Sequence, residues 1–176
     1  MERLGCADPA VERVASDLDV IDPEGKPLND TMWASIPFTP AQQAAVEAGG
    51  GSRLWLKYNT VTGAAAAFRA RLREVALPIP ACWVHDAWIA YLAGAVGPVR
   101  MLPEPLTFYR SHPAQQIGYR RLSIWRQVEA ARKMSASHLA KQAECFDALA
   151  DRLTAVRPRL RDESVIALAR AKAEFA

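Results

Sequence analysis

The sequence predicts a mixed α/β core followed by a helical C-terminal region, and three observations carry that reading. Eleven of twelve prolines, all nine glycines and four of five tryptophans lie before residue 119, interspersed with short apolar segments. Beyond it come arginine, alanine, glutamate and glutamine, with only Pro158 to break them. Within the first part, a β-branched segment at Val14–Ile21 and a helical spacing of apolar residues at Trp88–Val96 alternate with turn residues, the pattern of an α/β sheet. The division is therefore residues 1–118, an α/β unit, and residues 119–176, a helical extension.

In chain order, Asp8 and Pro9 fit a helix N-cap and first position, opening a short helix. Val14-Ala15-Ser16-Asp17-Leu18-Asp19-Val20-Ile21 has strand character. Asp22-Pro23-Glu24-Gly25 supplies a turn, proline fixing φ and glycine permitting φ > 0. Residues 36–52, with two prolines, a Gln/Ala stretch and three consecutive glycines, read as an adaptable loop with a helical turn or two. Leu54-Trp55-Leu56-Lys57-Tyr58 has strand composition, and residues 61–68 suit strand or helix. Pro78 and Pro80 stiffen the approach to a helix that starts near His85-Asp86 and stops before Gly97-Pro98. Val99–Leu102 and Leu106–Arg110 are two short strands. Leu122, Trp125, Val128, Leu139, Phe146, Leu149, Leu153 and Val156 form a helical stripe, weakest near Ser135–Ser137, where a break is expected. Arg157-Pro158 ends it, and residues 162–175 make a last short helix.

Composition narrows the function classes. The chain has 176 residues, 51 % apolar and 23 % charged, close to the globular average. Its 22 Lys and Arg against 19 Asp and Glu leave a net charge of +3. That is too weak for nucleic-acid binding without a concentrated patch, and the basic residues of the C-terminal helices are interleaved with Glu129, Glu144, Asp147 and Asp151. Cys6, Cys82 and Cys145 are scattered and odd in number, which argues against a disulfide framework or zinc knuckle and for a reducing compartment. With no apolar run of about 18 residues and no signal-peptide core, the expectation is a soluble cytoplasmic chain, or one attached peripherally at the inner membrane.

Two constellations carry possible chemistry. His85-Asp86 opens a helix after a proline-stiffened turn, and Tyr109-Arg110-Ser111-His112 follows a strand, both places where α/β folds put functional groups. A carboxylate there can accept a proton, and a nearby His or Arg can bind phosphate or metal. Asp86 equally suits an N-cap, His112 before proline suits a surface turn, and Trp88 at helical spacing suits the core. Asp17-Leu18-Asp19 is a literal DxD whose two carboxylates alternate onto one strand face, a feasible divalent-cation arrangement.

Taken in order, these segments resemble the second half of family 2 glycosyltransferases, particularly the bacterial rhamnosyltransferase-like branch with the GT-A fold. The matching stretches are Ala15–Gly25, Asn59–Gly63 with Phe68-Arg69, Ala76–Pro80, His85–Trp88, Glu104–Leu106, and Tyr109–His112 with Gln115–Gly118. The resemblance implies a partial GT-A mixed sheet over residues 1–118. It implies inverting transfer of a sugar from a nucleotide-sugar to a glycan or lipid-linked acceptor, in support of polysaccharide biosynthesis. By position, Asp86 resembles the catalytic base. Asn59, Thr62, Gly63, His85, Trp88 and Arg110 would surround the sugars, and His112 would contact metal or diphosphate. A complete enzyme of this kind uses Mn or Mg. Here Met1–Val11 matches the helix that follows the nucleotide-binding half, so that half is expected to be absent, and Asp17-Leu18-Asp19 matches the family's next strand rather than its metal motif. The expected consequence is a chain inactive alone, partnered by a separate donor-binding half or by itself. The alternative is a non-catalytic interaction module on a degenerate transferase scaffold.

Overall fold

The computed structural model describes residues 9–36, 38–112 and 135–175. Its centre is strand β1 (Arg13–Ile21), a nine-residue strand in which only Asp19 is more than marginally exposed. Such near-complete burial needs neighbours on both edges and cover on both faces. On one edge β4 (Val99–Arg110) runs parallel to it, from Arg13↔Val99 to Ile21↔Arg110. On the other edge β2 (Pro27–Thr31) and β3 (Ala66–Phe68) pair antiparallel with its two ends. The molecule is thus α/β, with a four-stranded mixed sheet.

The turn joining β1 to β2 follows from its residues. Asp22 Oδ1 accepts from the Lys26 N–H at 2.7 Å, and Gly25 adopts φ 89°, a conformation costly for any residue with a Cβ. After β2 come α1 (Met32–Ser35), capped by Thr31, and α2 (Pro40–Ala45), where Thr39 and Gln42 form a capping box ahead of Pro40. A π-type turn at Val46–Gly50, with Gly49 at φ 105°, leads into α3 (Gly51–Trp55).

Residues 40–55 are therefore mostly helical rather than an adaptable loop, and Leu54–Tyr58 is not a strand. The strand composition there is overridden by packing. Trp55 is buried, its indole N–H donates to Thr60 Oγ1 at 2.9 Å, and its ring lies so close to Gly94 that a Cβ there would come within 2.8 Å of it.

A short 3₁₀ turn (Gly63–Ala65) precedes β3, and α4 (Leu72–Ala76) leads through a cis Leu77–Pro78 bond to α5 (His85–Val96). This helix has the expected limits and buries Trp88, Ala90, Tyr91, Leu92, Ala93 and Ala95, so it is an interior helix rather than a surface one. The two strand segments foreseen at 99–102 and 106–110 are one strand. Pro103 and Pro105 do not interrupt β4 because it is paired only with β1 among the described residues, and a proline is tolerated at an edge. The pairing does slip, at Ser16, Asp17 and Leu18 opposite these prolines.

In the C-terminal region, α6 (Ala136–Ala155) starts at the foreseen break, where Ser135 accepts from the His138 N–H. After a 3₁₀ turn at Arg157–Arg159 comes α7 (Ser164–Glu174). Leu149, Ala150 and Leu153 of α6 and Val165 and Ala169 of α7 join Trp88, Leu92 and Met101 in one continuous core. No helix among the described residues is long and apolar enough to cross a membrane. Pro9 and Ala10 form a turn and residues 11–12 have no regular secondary structure, so no helix follows Pro9. Asp8, Cys6, Gln115–Gly118, Leu122, Trp125, Val128 and the 118/119 boundary lie outside the described residues.

Candidate functional site

Asp86 is the second residue of α5. It does not cap the helix; Val84 holds that position, without a side-chain bond. The Asp86 carboxylate instead reaches across to the segment after α3. Its Oδ1 accepts from Asn59 Nδ2 at 3.0 Å and its Oδ2 from the Gly63 N–H at 3.3 Å. Asn59 is itself fixed, because its side chain both donates to the Val61 carbonyl at 2.9 Å and accepts from the Val61 N–H at 3.0 Å. That Asx-type ring fixes the orientation of the Asn59 amide that faces Asp86.

Gly63 packs closely against His85. A Cβ there would lie 2.8 Å from Nε2, the far end of the exposed His85 side chain, so the glycine lets the imidazole lie against the backbone where it stands. Asn59, Gly63, His85 and Asp86, four of the residues the sequence singled out, therefore meet at one place. Asp86 is half-buried, with Asn59 and His85 exposed beside it. Thr62 precedes the 3₁₀ turn and makes no capping bond to it.

Beneath this group lies a residue the sequence reading overlooked. Arg13, at the start of β1, is 2 % exposed, and one guanidinium nitrogen donates to the Asp86 carbonyl at 3.2 Å. Burial lowers its pKa to about 10, a shift partly opposed by the charge of Asp86. A cation is thus held under the first turn of α5, on the side of the carboxylate. The available signal was a basic residue immediately before the strand segment Val14–Ile21.

The remaining candidates are placed elsewhere. Trp88 is completely buried, donates from its indole N–H to the Ala76 carbonyl at 2.7 Å and packs against Trp83; it is a core residue and leaves no ring face for a sugar. Arg110 ends β4 opposite Ile21 and donates to the Pro23 carbonyl in the β1–β2 turn. His112 lies just beyond it and is exposed. Arg110 is thus anchored at the Ile21 end of β1, whereas the Asp86 backbone is tied to Arg13 at the other.

The two carboxylates of the DxD part company. Asp17 is 5 % exposed and its Oδ1 accepts from the Leu18 N–H at 2.8 Å and the Trp33 N–H at 2.9 Å, so it secures the first turn of α1 against β1. Asp19 lines a cavity of about 350 Å³ with Asn29, Asp30, Thr31 and Phe108. Among the described residues no three His, Cys, Asp or Glu side chains come together as a metal site.

Compared with protein-family models, curated proteins and solved structures, the chain matches none.

The chemistry open to the Asp86 group follows from its geometry. A carboxylate oriented by two N–H donors keeps outward lone pairs free to receive a proton from a hydroxyl brought alongside. The His85 imidazole offers a donor or acceptor next to it.

Proposed function

We propose that this chain is the acceptor-side part of a family 2-type, GT-A-like glycosyltransferase. It would take part in inverting transfer of a hexosyl or deoxyhexosyl unit from a nucleotide-sugar to a glycan or lipid-linked acceptor. The observation that carries the reading is the convergence of Asn59, Gly63 and Asp86. Three residues drawn from two separate sequence motifs are joined by two hydrogen bonds around one half-exposed carboxylate.

On this reading the acceptor hydroxyl oxygen attacks the anomeric carbon while Asp86 takes its proton and the nucleoside diphosphate leaves. Asn59 and the Gly63 N–H hold the plane of the carboxylate, and His85 flanks the incoming hydroxyl. A divalent ion in a complete enzyme of this type stabilises the departing diphosphate. The described residues gather no ligand set for one, and His112 would contribute at most a single ligand. Nucleotide and metal would be held by a donor-binding half from a separate chain or a further segment.

The test uses the protein as it stands. A ¹⁵N–¹H titration with a panel of oligosaccharides and a detergent-solubilised lipid-linked sugar should move the amides of Asn59, Gly63, His85 and Asp86 together. If no sugar moves that set, the acceptor-side reading fails. A second reading, a non-catalytic interaction module, draws on the exposed Leu106 and Phe108 on β4; in that case the Asp86 amides stay still and a protein partner shifts the β4 amides instead.

A further inference from the structure

Cys82 and Cys145 are 63 positions apart, one in the segment between α4 and α5 and the other on α6. The fold brings them together. The Cys145 thiol donates to the Cys82 carbonyl at 3.3 Å, and the two thiols lie close enough to interact directly. The neighbouring residues fasten the same junction. The Trp83 indole N–H donates to the Cys145 carbonyl at 2.8 Å, and the Trp83 ring meets Phe146 edge-on with centroids 5.6 Å apart. Both cysteines are half-buried, so a small oxidant can reach them.

We propose that Cys82 and Cys145 form a reversible intrachain disulfide, driven by a peroxide. The Cys82 thiolate attacks one peroxide oxygen, forming an S–O bond, breaking the O–O bond and releasing a first water once its oxygen is protonated. The Cys145 sulfur then attacks the Cys82 sulfur, the S–S bond forms, and the hydroxyl leaves with the Cys145 proton as a second water. Two thiols are oxidised and one peroxide is reduced to two waters. The order follows from the geometry. Cys145 keeps its proton in the bond to the Cys82 carbonyl, and burial and the neighbouring thiol push its pKa up to about 12, so Cys82 is the sulfur that reacts first.

The product would staple α6 to the segment that feeds the first turn of α5, two residues before the helix cap at Val84. By constraining the unfolded chain over so long a loop, the disulfide should raise the melting temperature by about 10 °C.

The experiment treats the native protein and a Cys6→Ser variant with stoichiometric hydrogen peroxide, followed by intact mass, non-reducing peptide mapping and thermal unfolding. Expected are a loss of two hydrogens, a cross-linked peptide pair containing Cys82 and Cys145 in both proteins, and a higher melting temperature. Dithiothreitol should reverse all three, and Cys82→Ser or Cys145→Ser should abolish the pair. Because serine is nearly isosteric, both variants should fold, which unfolding of the reduced proteins would verify. A gain of two oxygens, an intermolecular dimer, a Cys6-containing pair as the main product, or a cross-linked chain that melts no higher than the reduced one would overturn the proposal.

Discussion

Replacing Asp86 by asparagine tests the site at its centre. Both carboxylate oxygens accept hydrogen bonds, one from Asn59 Nδ2 and one from the Gly63 N–H. Asparagine offers one acceptor oxygen and one NH₂ group, so whichever way it is turned a donor faces a donor. One charge-assisted hydrogen bond is lost, worth about 1.5–3 kcal/mol where fully buried. Asp86 is half-exposed, so water recovers part of that. A smaller loss comes from removing a negative charge from the first turn of α5, about 0.3–1 kcal/mol. The net expectation is a destabilisation of about 1–2 kcal/mol, or about 3–6 °C in melting temperature for a chain of this length. Urea unfolding of the parent, Asp86→Asn, Asn59→Ala and the double variant measures this directly. The double-mutant cycle should return a coupling of about 1 kcal/mol between positions 59 and 86. An Asp86→Asn protein that melts within about 1 °C of the parent, with no coupling to Asn59, would refute the reasoning. In an enzyme completed with a donor half, the same substitution should lower turnover by about 10²–10⁴-fold.

Four further outcomes are expected. Asp17→Ala should cost about 2–4 kcal/mol, since it strands two buried N–H groups, whereas Asp19→Ala on the cavity wall should stay within about 0.5 kcal/mol; chemical denaturation separates the two. Trp88→Phe should cost about 2–3 kcal/mol by leaving the Ala76 carbonyl unpaired and a void behind, with sugar-induced shifts at Asn59 and Gly63 unchanged. Tyr91 is buried, its hydroxyl has no partner among the described residues, and burial raises its pKa; the unfolded chain therefore ionises first, stability falls as pH rises above 10, and Tyr91→Phe should flatten that fall and gain about 1 kcal/mol at neutral pH, read from melting curves across pH 7–11. Calorimetric titration of the chain alone with nucleoside diphosphates and manganese should show no micromolar binding, and such binding would show that a complete donor site is present.

Elements whose signals are local were legible in the chain. The strand at 14–21, the Asp22–Gly25 turn, the limits of α5, the start of α6 at Ser135 and the final helix all follow from periodicity and from capping and turn residues, which act within one element. The sequence also named Asn59, Gly63, His85 and Asp86, though not that they meet. The rest depends on contacts between distant parts of the chain. The strand composition of Leu54–Tyr58 yields to α3 because Trp55 seats against Gly94, a contact about 40 residues away that no local signal encodes. Pro103 and Pro105 look like a strand break but sit on an edge where no ladder bond is required of them. Trp88 and Asp17 were legible as residue types suited to a site, yet each is spent inside, on the Ala76 carbonyl and on the first turn of α1. Arg13 was hidden for the same reason. A buried cation on a strand has meaning only once α5 is laid over it, and that placement is set by the packing of the whole core rather than by any neighbour in the chain.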